Sequence, residues 1–277
     1  MKIAFSTGSL YTWGLNRSFG LAQEAGFDGV EIIIDNRWDT RDVDYLRRLQ
    51  EQHDLPILCL HAPFPLIAVD GWPWDEIART QRTVALAETL DVPMVVTHLP
   101  LRIHIAVIQT TLRKRRLLLP MPLRWGKSYA RWLKNDLPAL EEASPVTIAV
   151  ENLPSYPLRG RRLDVHLMNS IEEWGQFPHL TLDTTHLGTW GLNILAVYEQ
   201  VAERVAHVHL SNYRDKKEHR RLDDGDLPLG EFLKRLKDRF TGTVTIELNP
   251  TSLEAKNEHK VRAHMKATVE FCRRHIN

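Results

Sequence analysis

The sequence predicts an α/β chain folded as one closed (β/α)8 TIM barrel, and three observations carry that expectation. Eight short β-branched runs recur along 277 residues, with amphipathic helical stretches between most of them. Breakers such as "AGFDG", "HDLP", "LDVP" and "FTGT" stand before several runs, where a helix ends and the next strand enters. No boundary or linker interrupts the rhythm, so residues 1–277 read as a single domain. Eight such units in this length fit a closed barrel better than an open doubly wound sheet, which usually needs fewer strands.

In chain order the expected strands are "KIAFS", "GVEIIID", "PILCLH", "PMVVTH", "VTIAVE", "LTLD", "VAHVHL" and "TVTIEL". The segments "DVDYLRRLQEQH" and "WDEIARTQRTVALAETL" space their apolar residues as helices do. One connection departs from the pattern. Residues 101–134, between strands four and five, contain no acid, while "RKRR" (113–116), Arg124, Lys127, Arg131 and Lys134 make the insertion strongly basic. Ordinary βα loops are far shorter. Two readings stand: a lid or arm over the barrel mouth that attracts a phosphate or even a nucleic-acid backbone, or a helical hairpin whose "LLLPMPL" packs on a partner subunit in a homo-oligomer. Trp125, Tyr129 and Trp132 are too few aromatics to argue for base stacking.

Composition bounds the function. With 43% hydrophobic and 26% charged residues the chain reads as soluble and globular, and a formal net charge of +1 argues against whole-molecule attraction to nucleic acid or an anionic membrane. Cys59 and Cys272 cannot build a disulfide framework and lack zinc-type spacing, so a reducing, cytoplasmic compartment is expected. Neither a signal sequence nor a stretch of membrane-spanning length is visible.

Function in such a barrel gathers at the carboxyl ends of the strands. Here those ends carry Ser6, Glu31 or Asp35, His61, His98, Glu151, Asp183, His209 and Glu247. Any one of them reads simply as a cap or a salt-bridge residue. Together they form a buried charge cluster that is costly unless something pairs with it, and a divalent cation does so. Glu151, Asp183, His209 and Glu247 come from four different strands, which lets them surround one point.

The segments "CLHAPF", "VTHLP", "IAVENLP", "LTLDTTHLG", "HVHLSN" and "TIELNP" resemble the successive strand-end motifs of the xylose-isomerase-like barrel superfamily, over essentially the whole chain. That superfamily contains sugar-phosphate isomerases and epimerases, inosose dehydratases, hydroxypyruvate isomerases and the endonuclease IV group. The resemblance implies that Glu151, Asp183, His209 and Glu247 hold one divalent ion, Mn, Co, Mg or Zn. It implies that His186 in "DTTH" faces substrate, as in isomerases, or binds another zinc, as in the endonucleases; His61 and His98 match two histidines that help hold an extra zinc in the latter. His219 falls where the superfamily often places a histidine, but the aspartate ligand that the endonucleases carry two positions earlier is Lys217 here, which removes one ligand of a three-metal site.

From this resemblance the expected function is a metal-dependent isomerase or epimerase that moves a proton on a sugar or sugar phosphate through a cis-enediolate. Glu151 and Glu247 serve as the acid and base pair, and His186 supports the oxyanion. His61, His98, Arg214 and His219 are the candidate substrate contacts. An endonuclease IV-like zinc phosphodiesterase acting on abasic DNA, and a metabolite-binding barrel without catalysis, are the alternatives. Trp13, Trp38, Trp72, Trp74 and Trp190 lie in or near post-strand loops, where they serve as an apolar wall for a sugar ring or as ordinary packing.

Overall fold

Parallel pairing carries each strand to its neighbour all the way round a closed barrel. The strands are β1 (Lys2–Ser6), β2 (Gly29–Ile33), β3 (Ile57–His61), β4 (Met94–His98), β5 (Thr147–Glu151), β6 (Leu180–Asp183), β7 (Val205–Leu210) and β8 (Thr243–Ile246). All eight expected strands form, and β8 closes on β1 through the register Lys2 to Thr243 and Phe5 to Ile246. The computed structural model describes residues 1–65, 67–102, 104–109, 116–121, 125–158 and 161–276.

Two faces of each strand do different work. Val30 and Ile32, Val150, Leu182, Val208 and Leu210, and Ile246 belong to one continuous apolar cluster shared with the surrounding helices. Side chains alternate across a strand, so Glu31, Glu151, Asp183, His207 and His209 occupy the other face, inside the barrel. The helices that supply the outer half of the core are α1 (Leu15–Ala25), α2 (Val43–His53), α3 (Glu76–Thr89), α4 (Trp125–Asn135), α5 (Leu137–Glu142), α6 (Ile171–Trp174), α7 (Thr184–Trp190), α8 (Ile194–Val201), α9 (Leu229–Lys237) and α10 (Glu258–Ile276). Asp42 and Asp75 start α2 and α3 by accepting the amides of Tyr45 and Ala78 at 2.8 and 2.9 Å.

The basic insertion is not a helical hairpin. Residues His104–Gln109 pair antiparallel with Arg116–Met121, and a helix, α4, begins only at Trp125. The β-branched Ile105, Val107 and Ile108 of "HIAVIQ" suit a strand better than a helix turn. Arg113, Lys114, Arg115 and Arg124 lie outside the described residues. Lys127, Arg131 and Lys134 are on the exposed face of α4, whose opposite face buries Tyr129, Trp132 and Leu133 in the core. Two of the three aromatics of this segment are therefore packing residues.

A buried arginine fixes the connection between β3 and α3. Arg79 is 2% exposed, and its guanidinium donates to the carbonyls of Pro73, Phe64 and Ile67 at 2.6, 2.8 and 2.9 Å. Arg79→Met keeps the apolar stem but strands three acceptors. At roughly 1–3 kcal/mol for each unsatisfied buried group, a loss of about 3 kcal/mol or more is expected in denaturant unfolding. A loss under about 1 kcal/mol would mean that water replaces the guanidinium freely.

A candidate metal centre at the barrel mouth

His209 stands at the middle of the polar interior. Its Nδ1 lies 2.7 Å from Glu151 Oε1, 3.2 Å from Glu247 Oε2 and 3.8 Å from Asp183 Oδ2. One ligand atom from each of Glu151, Asp183, His209 and Glu247 falls within 4.8 Å of every other, so the four expected residues do converge. The other three are buried, while the Glu247 side chain, just past the end of β8, keeps 13% exposure.

Local hydrogen bonds explain why the sequence places these groups there. Asp183 ends β6 and caps α7, its Oδ1 accepting the amide of His186 at 2.8 Å. Asn152, which follows Glu151, accepts the amide of Asp183 at 2.8 Å and donates to its carbonyl at 3.1 Å. The amide after the strand-end acid is thus a clamp between β5 and β6. Thr184 and Thr185 donate to the carbonyls of Ser211 and Asn212, fastening α7 to the segment after β7.

The charge balance asks for a cation. Burial works to raise the Glu151 carboxyl, yet the charge and hydrogen bond of His209 outweigh it and hold the group well below the usual range. Asp183 is pushed the other way: burial, opposed by His219 and reinforced by Glu151, raises its carboxyl. Asp183 Oδ2 is buried with no hydrogen-bond partner. Three carboxylates around one imidazole, with one carboxylate oxygen orphaned, form a donor set that suits a divalent ion.

The remaining candidates divide. His61 and His98 reach the centre, each with Nε2 3.6 Å from Glu151 Oε2. Phe64, on the connection held by Arg79, packs over both rings at centroid distances of 5.3 and 4.7 Å. His186 lies beside them with Nδ1 2.7 Å from the Asn152 carbonyl, and burial lowers its pKa to about 3, which keeps the ring neutral. His219 joins Asp183 and His186 in a group whose ligand atoms also lie within 4.8 Å. His219 also lines a groove of about 720 Å3 whose lining stops short of the tetrad. Arg214 goes elsewhere: on the short hairpin after β7 it pairs with Asp224 at 2.7 Å. Lys217 is exposed on the same hairpin.

Of the tryptophans, Trp38 and Trp74 are 61% and 58% exposed. Trp38 and Trp72 line an outer groove with Arg41 and Arg82, so these two do not wall the mouth. Trp13 packs against the core and Trp190 donates to the Leu153 carbonyl.

Sequence reasoning missed three groups at the centre. Glu31 appeared only as a strand end, and it proves to be an interior acid with its carboxylate 3.2 Å from His209 Nε2. His207, two residues before His209, shares that carboxylate. Phe64 was not singled out. The period of two in "VAHVHL" and "GVEII" carried the signal for the first two.

Comparison with known proteins identifies the family of the barrel. The family model described as xylose isomerase-like TIM barrel matches residues 19–274. The chain belongs to this family. Its relatives include an uncharacterized protein of Mycobacterium tuberculosis (strain ATCC 25618 / H37Rv), 26% identical over an alignment of 300 positions that covers 100% of this chain and 98% of that protein. Among solved structures, a D-allulose 3-epimerase from Methylomonas sp. in complex with D-allulose superposes with a TM-score of 0.67 at 14% identity, covering 99% of this chain and 97% of that one. An AP endonuclease, family 2, from Brucella melitensis gives 0.62 at 18% identity, with 90% and 93% covered. These likenesses show a shared barrel fold. Among the described residues, no helix is long and apolar enough to cross a membrane.

Proposed function

We propose that the chain is a divalent-metal-dependent isomerase or epimerase of small sugars or sugar phosphates, which moves a proton through a cis-enediolate of the sugar. The observation that carries this reading is the tetrad of Glu151, Asp183, His209 and Glu247, its ligand atoms within 4.8 Å and one oxygen of Asp183 left without a partner. Those four residues would hold Mn, Co, Mg or Zn, and the bound ion would polarise the adjacent oxygens of a hydroxy-ketone.

The protein's own groups then divide the work. Glu247 is the more exposed of the two tetrad glutamates, which suits it to take the proton of an entering sugar. Glu151, flanked by His61 and His98, is its counterpart for returning a proton. His186 donates through Nδ1 to the Asn152 carbonyl, so its Nε2 carries a lone pair. It is therefore suited to accept a sugar hydroxyl, in place of the expected support for an oxyanion. His61 and His98 line the same side, and Phe64 supplies an apolar surface above them. Arg214 already has Asp224 as its partner and would have to break that pair to meet a substrate phosphate.

A second reading rests on two further groups, His61 with Glu151 and His209, and Asp183 with His186 and His219, each compact enough for an ion. Together with the tetrad they suit a zinc phosphodiesterase, although Lys217 offers no ligand. The test uses the manganese-loaded protein in D2O with a panel of keto-sugars and their phosphates, followed by NMR. Deuterium uptake at carbon is expected, with no cleavage of abasic duplex DNA. Cleavage that Glu247→Gln abolishes, without sugar exchange, would make the protein a nuclease.

A further inference from the structure

Beneath the tetrad lies a second buried cluster that none of the roles above uses. Glu31 is fully buried on β2, and its two oxygens both lie 3.2 Å from His209 Nε2. Its Oε2 is also 3.2 Å from His207 Nε2, which in turn is 2.8 Å from Thr245 Oγ1. His207 Nδ1 has no hydrogen-bond partner, as expected if the single ring proton sits on Nε2 and is directed to Thr245.

An imidazole that binds a metal through one nitrogen must carry its proton on the other, and a carboxylate at that second nitrogen selects the tautomer and the ring angle. We propose that Glu31 is the positioning residue of the centre: once a metal displaces the proton that His209 Nδ1 shares with Glu151, Glu31 would hold the remaining ring proton on Nε2 and leave Nδ1 free among the oxygens of Glu151, Asp183 and Glu247, with His207, itself anchored on Thr245, flanking Glu31. This rests on the tetrad being a metal site. Geometry supports it independently of that reading's chemistry, since Nδ1 is the His209 nitrogen that faces all three tetrad carboxylates.

The competing reading, an ion held by Glu31, His207 and His209 themselves, has ligand atoms within 4.8 Å. It would need His209 Nε2 as a ligand and would put the proton on Nδ1. The two are distinguished by one atom.

The experiment titrates Mn2+ into the metal-free wild type and into Glu31→Gln, followed by calorimetry, with far-UV circular dichroism as a check on folding. Affinity is expected to fall roughly 10- to 100-fold in the variant, the usual cost of losing an outer-shell carboxylate. A wild type that takes up no Mn2+ would overturn the metal reading and this proposal with it. A wild type that binds, with Glu31→Gln binding within about threefold of it, would overturn the positioning role alone. Long-range 1H–15N correlation on the zinc-loaded wild type reads the tautomer without any substitution, so a poorly folded variant does not decide the matter. A His209 proton on Nε2 is expected, and a proton on Nδ1 would overturn the proposal.

Discussion

Glu247→Gln is expected to leave the barrel folded and Mn2+ bound, and to lower solvent-proton exchange into a keto-sugar by about 100- to 10,000-fold, the range that a positioned base contributes. The amide keeps the shape and one oxygen donor of the glutamate. It cannot accept a proton. Glu247 is well placed for this division of roles because it sits just past β8 with its backbone amide 3.4 Å from the Leu210 carbonyl, so the substitution disturbs no strand pairing. Deuterium incorporation measured by NMR, at matched metal occupancy, gives the answer. Exchange at the parental rate would remove Glu247 as the base and shift the role to Glu151.

Asp183→Asn should separate folding from metal binding. Asparagine still caps α7, because its side-chain oxygen can accept the His186 amide that Asp183 Oδ1 accepts now. What disappears is a buried acid whose ionisation burial, Glu151 and Glu247 oppose, together with an oxygen that has no partner. The metal-free variant is therefore expected to unfold at the same or a higher temperature than the metal-free wild type, the reverse of the usual effect of a core substitution. The stabilisation by added Mn2+ should vanish. For the wild type that stabilisation is expected to be about 2.7 kcal/mol when free metal is a hundredfold above Kd. Thermal unfolding of both proteins with chelator and with Mn2+ supplies all four values. An unstable metal-free variant would show that the Asp183 charge supports the fold itself, and an undiminished metal shift would exclude Asp183 as a ligand.

The barrel and its tetrad were legible because each depends on a short-range pattern. Parallel strands announce themselves as β-branched runs, and a strand's last inward residue is where a closed barrel must deliver a functional group. Glu151, Asp183, His209 and Glu247 sit at such positions, and the four were readable before their convergence was known. Glu31 was harder to read, for a physical reason. An acid in the middle of a strand has no defined partner until the barrel closes and brings His207 and His209 across from the far side of the chain. Asn152 hid its role similarly, since its partner Asp183 is 31 residues away. Of the two readings of the insertion after β4, the helical hairpin fails, because the β-branched run "HIAVIQ" pairs as an antiparallel strand with the segment that holds the leucines. Arg214 looked like a substrate cation only because Asp224, its partner, lies across a hairpin that the sequence did not reveal.

The most direct measurement is anomalous diffraction from a crystal of the wild-type protein soaked in Mn2+. One strong peak is expected within roughly 2.0–2.6 Å of carboxylate oxygens of Glu151, Asp183 and Glu247 and of Nδ1 of His209. A well-ordered barrel mouth with no peak among these four side chains, at a manganese concentration that saturates the protein in solution, would contradict it.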